Sequence, residues 1–404
     1  MECRICGSET ESFLSLGETP LANSYVAVAD LGRTEPEFPL ELSFCQTCSV
    51  VQLTHTAPPE MMFKHYLYVT STSNTFRQHF TKYAEDVAKE FNLNENSLAV
   101  DIGSNDGLLL KGFQKFGVKT IGVEPASNVA KIAEEDGVET INAFFNWNVA
   151  AQIIDSKGQA DVVTANNVFA HTDTIKDIVK NVRKLLKDDG IFIIEVAYLV
   201  DMLEQMTFDA VYHEHLFYYS LTALKYFFED NGMSIFKVQH VSSHGGSLRV
   251  FVEKQESGRQ VDSSVAEMLG KEKGLVDSIR TYKKFAAEVY DNKEKLVKVL
   301  KELKGHGKSI AGYGAPAKAT TLLSFCGIGK EVIDFIVDDS PLKQGLFMPG
   351  SHIPVVGPEM LEKKRPDYIL ILAWNFADEI MKRCSEVVSG KTKFIVPVPE
   401  PRIM

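Results

Sequence analysis

The stretch Val100-Asp101-Ile102-Gly103-Ser104-Asn105-Asp106-Gly107 decides the fold. An apolar run, Leu98–Ile102, reads as a strand, and Leu108–Phe116 beyond the loop carries a helical pattern. A strand-to-helix turn that lets backbone approach a ligand needs glycine, because a Cβ would stand in the way. Roughly twenty residues later, a second strand-like run, Thr120–Val123, ends at Glu124. A carboxylate there can accept hydrogen bonds from both hydroxyls of a ribose. Strand-like runs at Asp161–Ala165 and Ile191–Val196 continue the alternation, so residues 75–255 read as an α/β sheet.

The loop suits either a dinucleotide or S-adenosylmethionine, and two details favour the second. It reads D-x-G-x-x-x-G instead of G-x-G-x-x-G, with Asn105 where a middle glycine often stands. It also carries Asp101 and Asp106 where a pyrophosphate would want positive dipoles, whereas a sulfonium and an ammonium attract acids. Asn166 directly follows the Asp161–Ala165 run, at the crevice where such sheets bind ligands. Asp101, Gly103, Asn105, Gly107, Glu124 and Asn166 are therefore the expected cofactor-binding residues. Phe144 and Phe145 read equally well as adenine neighbours or as core aromatics.

On the N-terminal side, residues 1–60 are rich in turns and hold Cys3-Arg4-Ile5-Cys6 and Cys45-Gln46-Thr47-Cys48. Two C-x-x-C pairs can place four thiolates tetrahedrally around zinc, and four sulfurs close the coordination shell, so the metal is expected to be structural. A block this small buries little apolar surface, and a metal supplies the missing stability. Cys326 and Cys384 are isolated and read as packing residues. On the C-terminal side, a polar helical stretch over 262–304 leads to strand-like runs at Ser309–Gly312, Val332–Val337, Tyr368–Leu372 and Lys393–Val396. These predict a second, smaller α/β unit. The expected division is 1–60, 61–260 and 261–404.

The net charge of −11, from 54 acidic and 43 basic residues, leaves no basic footprint for a nucleic acid, though it permits a local basic pocket for one phosphorylated ligand. No apolar run approaches the roughly 20 residues that span a bilayer. The opening Met1-Glu2-Cys3-Arg4 has no signal-peptide pattern, so a cytoplasmic location is expected. The oligomeric state is open, with a monomer as one reading.

Tyr212-His213-Glu214-His215 is the densest group of proton-transfer residues, and the aromatic run after it predicts an apolar wall that shifts pKa values and excludes water. An H-x-H metal site and a hydrogen-bonded surface loop are the competing readings. His171 follows the Asp161–Ala165 run near the crevice. Tyr66 and Tyr68 lie in a segment expected to lid the site, since it joins the cysteine block to the sheet. In His244-Gly245-Gly246-Ser247-Leu248-Arg249 the glycines permit close approach, and Arg249 either reaches a phosphate or braces the turn. Gly312-x-Gly314 precedes an expected helix over Ala315–Leu323 whose N-terminus could meet a diphosphate, with Lys318 adding charge. Both residues read equally as a packing turn.

In order and spacing these parts resemble the bacterial nucleotide-sugar C-methyltransferases that act on 4-keto-deoxyhexoses, over nearly the whole chain. The match is carried by Cys3/Cys6/Cys45/Cys48, Asp101–Gly107, Tyr212–His215, His244–Arg249 and Gly312–Ala319. The resemblance implies a structural zinc, a class I Rossmann-like methyltransferase domain, and a C-terminal Rossmann-like domain that helps bind the nucleotide-sugar. It further implies that Tyr212, Glu214 and His215 act at the sugar, and it points to a thymidine diphosphate as the nucleotide. The expected chemistry starts with a ketone that acidifies a neighbouring carbon. His215 removes the proton, with Glu214 orienting the imidazole; Tyr212 or Tyr66 donates to the enolate, with His171 beside them. Tyr68, Ser247, Arg249, Gly314 and Lys318 are the expected substrate-binding residues. The rival readings are an O- or N-methyltransferase of another small molecule and a non-catalytic zinc-ribbon binding protein.

Overall fold

The computed structural model describes residues 1–58, 61–62, 69–72, 74–388 and 390–404, whose strands fall into three sheets. In the first, β1 (Glu11–Pro20), β2 (Glu37–Phe44) and β3 (Val51–Leu53) form an antiparallel meander. The cysteine pairs sit at its end, because Cys45 directly follows β2 and Cys48 precedes β3.

The second sheet contains β4 (Leu98–Ile102), β5 (Lys119–Val123), β6 (Thr140–Ile141), β7 (Ala160–Asn166) and β8 (Leu186–Ala197), all parallel. Every residue of β4 is buried, as expected for a strand covered by helices on both faces. The chain runs from β4 outward to β6, then returns to start β7 on the other side of β4. The carboxyl ends of β4 and β7 therefore flank the point where strand order reverses, the place where open α/β sheets bind ligands. The glycine loop leaves β4 there, and Asn166 ends β7 there.

Next in sequence, β9 (Phe217–Tyr218) does not join this sheet but pairs antiparallel with β3, completing the first one in the order β1-β2-β3-β9. The N-terminal unit is thus closed by a strand some 160 residues downstream of its own block, the segment that follows Tyr212–His215. The hairpin β10 (Met233–Val241) and β11 (Ser247–Lys254) then extends the central sheet, with β11 antiparallel to β8. The polar stretch over 262–304 forms two helices, Ser263–Glu272 and Ile279–Gly305.

The third sheet holds β12 (Ile310–Tyr313), β13 (Ile336–Val337), β14 (Val355–Val356), β15 (Tyr368–Ile371) and β16 (Lys393–Val396), all parallel, with β17 (Arg402–Ile403) antiparallel at the edge. The strand expected over Val332–Val337 is shorter than its apolar run, since Val332 N–H closes a turn onto Gly329 O. Strand order reverses between β12 and β15, which places the helix Ala317–Cys326 and Trp374 on either side of a second crevice. No helix of the described residues is long and apolar enough to cross a membrane.

Candidate active site

The glycine loop is built from its backbone outward. Gly103 has φ +67° and an added Cβ would lie 2.3 Å from Val168 Cγ2, so no other residue fits without displacing that side chain. Gly107 caps the helix Leu108–Gln114 and donates its N–H to Ser104 O. Glu124 accepts from Asn105 N (2.9 Å) and Ala126 N (2.8 Å), and each carboxylate oxygen keeps further lone-pair capacity. The described residues at the end of the expected lid segment cap the loop: Thr70 N donates to Asn105 Oδ1 and Ser71 N to Asp106 Oδ2, both at 2.9 Å. Tyr66 and Tyr68 lie outside the described residues.

Asp101 accepts from Thr164 Oγ1 at 2.6 Å, and Asn166 Nδ2 lies 3.5 Å away. Burial pushes the Asp101 carboxyl up to about 7, with the nearby Glu124 charge adding to the rise. Asn166 Oδ1 and Asp106 Oδ1 are buried acceptors with no partner among the described residues. Unpaired acceptors and two buried acids fit a ligand that brings ammonium, amino and sulfonium groups, as S-adenosylmethionine does.

The four cysteines of the first unit are reduced, and their sulfurs all lie within 4.8 Å of one another. Cys3–Cys48 and Cys6–Cys45 approach to 3.5 and 3.4 Å. Zinc with bonds of about 2.3 Å separates its four sulfurs by about 3.8 Å, so the cluster is close to the geometry the metal needs.

Tyr212–His215 is not a surface loop. His213 and Glu214 are buried, and His213 Nε2 bonds Phe38 O at 3.1 Å, facing the first unit. His215 Nδ1 lies 3.1 Å from Ala210 O; a carbonyl only accepts, so Nδ1 carries the proton and the neutral ring has its lone pair on Nε2. Backbone thus holds the His215 ring through Nδ1. The His215 ring stacks on His171 (centroids 5.1 Å) and against Tyr212 (4.1 Å). Glu214 Oε1 accepts from Asn23 Nδ2 at 2.5 Å. His215, His171 and Tyr212 are therefore brought together from two chain segments, while His213 points elsewhere.

The His244–Arg249 turn behaves differently from the phosphate reading. Arg249 is 5% exposed and bonds Glu195 Oε2 through Nε (3.1 Å) and Nη2 (2.9 Å). Its guanidinium also lies 3.6 Å from the centroid of the Tyr83 ring. His79 Nε2 (2.9 Å) and Ser243 Oγ (2.7 Å) meet Glu195 Oε1. Burial alone would raise the Glu195 carboxyl, but the His79 bond and the Arg249 charge hold it down at about 2. Ser247, fully buried, donates to Ser243 O. Arg249 therefore braces the turn, the second of its two readings, and Ser247 is bonded within the same turn.

In the third unit, Gly314 donates to Val337 O and Ala315 to Asp338 Oδ2. Lys318 Nζ lies 3.5 Å from the centroid of the Trp374 ring and 2.6 Å from Asn375 Oδ1. Trp374 Nε1 donates to the buried Asp209 at 2.6 Å. Burial lowers the Lys318 ammonium to about 8, with Asp209 opposing the shift. Tyr25 from the first unit donates to Ala315 O, as does Lys343. Sequence reading missed Asn23, Tyr25, Glu195, Asp209 and Trp374. Glu195 had a signal, a lone acid inside the apolar run Ile191–Val196; Asn23 in a turn-rich block had none.

Three family models divide the chain: "Putative zinc binding domain" over 3–63, "Methyltransferase domain" over 75–238 and "C-methyltransferase C-terminal domain" over 242–399. C-methyltransferase NovU of Streptomyces niveus is 38% identical over 405 residues, covering 100% of this chain and 96% of that one. A ubiquinone biosynthesis O-methyltransferase of Rhodopseudomonas palustris matches 26% of this chain and 42% of its own, at 27% identity. Among solved structures, magnesium protoporphyrin IX methyltransferase of Synechocystis with bound SAM has a TM-score of 0.34 at 16% identity, covering 44% of this chain and 79% of that one. A SAM-dependent methyltransferase of Clostridium acetobutylicum reaches 0.36 at 16%, covering 44% and 92%. The full-length likeness sets aside the non-catalytic zinc-ribbon reading: the chain belongs to the C-methyltransferase family.

Proposed function

We propose that the protein transfers a methyl group from S-adenosylmethionine to a ring carbon beside the ketone of a nucleotide-linked 4-keto-deoxyhexose, with the third ring carbon as the position and thymidine diphosphate as the nucleotide. The observation that carries this reading is the His171–His215–Tyr212 stack, with His215 Nδ1 tied to Ala210 O so that Nε2 holds a lone pair. Carbon becomes a nucleophile only when an adjacent carbonyl can take up charge, so a C-methyltransferase of a sugar needs a positioned base and a donor at the carbonyl oxygen.

Each of the chain's own residues then has a task. His215 Nε2 takes the proton from the carbon next to the ketone, and the Ala210 carbonyl steadies the resulting imidazolium. Tyr212 or Tyr66 donates to the enolate oxygen, with His171 supporting the His215 ring. Asp101, Gly103, Asn105, Gly107, Glu124 and Asn166 would hold S-adenosylmethionine, which supplies an electrophilic methyl group on a sulfonium sulfur. Lys318 and the helix N-terminus after Gly314 would meet the diphosphate in the second crevice. Zinc at Cys3, Cys6, Cys45 and Cys48 would be structural, fixing the unit that supplies Phe38 and Asn23.

The test is solvent exchange. Wild-type protein incubated in D2O with the keto-sugar and without a methyl donor should exchange one ring-carbon proton beside the ketone, read by NMR. His215→Ala should abolish the exchange and leave S-adenosylmethionine affinity unchanged. Exchange at the wild-type rate in His215→Ala would remove His215 from its assigned role.

A further inference from the structure

The segment Tyr212–His215 is gripped by the first unit at several points. Leu53 N donates to Leu216 O at 2.9 Å, β9 pairs with β3, and His213 reaches Phe38 O. These contacts hold backbone or the histidine that faces away. Asn23 instead reaches Glu214 itself, with its carboxamide nitrogen 2.5 Å from Oε1.

The turn that carries Asn23 is fixed in turn by the third unit. Ala22 O accepts from Thr320 Oγ1 at 2.9 Å, and Tyr25 donates its hydroxyl to Ala315 O. Thr321 Oγ1, next along that helix, donates to Val211 O at 2.8 Å, one residue before Tyr212. One face of the helix Ala317–Cys326 therefore clamps both the Asn23 turn and the start of the candidate catalytic segment. A carboxamide suits the junction: it donates to a carboxylate without bringing a charge that would neutralise or repel it.

We propose that Asn23 is a positioning residue for the reaction, fixing the Glu214 carboxylate of the Tyr212–His215 segment and thereby linking the docking of all three units to the readiness of the site. The inference rests on Tyr212–His215 carrying the chemistry.

The test compares Asn23→Ala with the near-isosteric Asn23→Asp in the zinc-loaded, full-length enzyme. Losing a hydrogen bond to a charged group lowers kcat about 10- to 100-fold in Asn23→Ala, with both KM values and zinc content unchanged. Asn23→Asp keeps the shape but opposes Glu214 with a second carboxylate, so its kcat falls below that of Asn23→Ala. If Asn23 merely filled space, Asn23→Asp would stay within twofold of wild type, and that result overturns the proposal. A second readout needs no acceptor. In the ligand-free protein the Asn23 carboxamide proton should resonate downfield and exchange slowly, and both features should disappear in Glu214→Ala. Their absence from wild type also overturns the proposal. Their presence in a wild-type protein that methylates no keto-sugar upholds the Asn23 contact and sinks the substrate reading instead.

Discussion

Replacing Arg249 with methionine separates bracing from binding. In the structure Glu195 is a buried carboxylate with donors from His79, Ser243 and two nitrogens of Arg249. Its carboxyl falls from the ordinary 4.5 to about 2, a difference equivalent to about 3 kcal/mol. Breaking a buried pair by removing one partner costs a similar amount, about 3–5 kcal/mol. Arg249→Met should therefore lose about 3 kcal/mol at pH 7 by urea unfolding, with the m-value checked for two-state behaviour. The sign with pH follows from a depressed folded-state value. The Glu195 contribution is complete above about pH 4.5 and is lost as pH falls from there toward 2. Wild-type stability should fall steeply in that window, and Arg249→Met should be flatter because little of the contribution remains. The double variant Arg249→Met/Glu195→Leu should recover most of the loss, since an apolar pair of similar volume removes the stranded charge. A loss below about 1 kcal/mol, with a raised KM for substrate, would refute the bracing role and return Arg249 to phosphate binding.

Gly103→Ala drives a Cβ into Val168 and imposes left-handed backbone on alanine, so S-adenosylmethionine affinity measured by calorimetry should drop about tenfold or more; unchanged affinity would contradict the close approach. Cys45→Ser should leave the protein short of one zinc by metal analysis, and hydrogen exchange should rise across Tyr212–Tyr219, because β2 and β3 carry that segment; unaltered exchange would uncouple metal from site. Burial sets the Lys318 ammonium near 8, so its charge is present below that pH and lost above it. The KM for a diphosphate-bearing substrate should accordingly rise between pH 7 and 9 in wild type and stay flatter in Lys318→Arg; a flat wild-type profile would release Lys318 from that task.

What the sequence revealed depended on how local the signal was. β4, β7 and β15 were legible because parallel strands covered on both faces read as largely apolar runs. The cysteine clip was legible because a thiolate cluster needs its ligands at fixed short spacing. The pairing of β9 with β3 was not, since two residues far downstream carry no pattern that names their partner. His215 stood out as a motif, yet its orientation by Ala210 O depends on a backbone atom that sequence does not specify. Arg249 was read with both alternatives open, and the Glu195 partner across the β8–β11 pair, which favours bracing, is named by no local pattern.

Product analysis tests the central claim most directly. Purified protein is incubated with S-adenosylmethionine and a panel of nucleotide-linked 4-keto-6-deoxyhexoses, and the products are read by mass spectrometry and NMR. The account predicts a gain of one methyl group that survives mild hydrolysis, with loss of the proton signal of a ring carbon beside the ketone. A methyl group on oxygen, or no transfer to any keto-sugar while S-adenosylmethionine still binds, would contradict it.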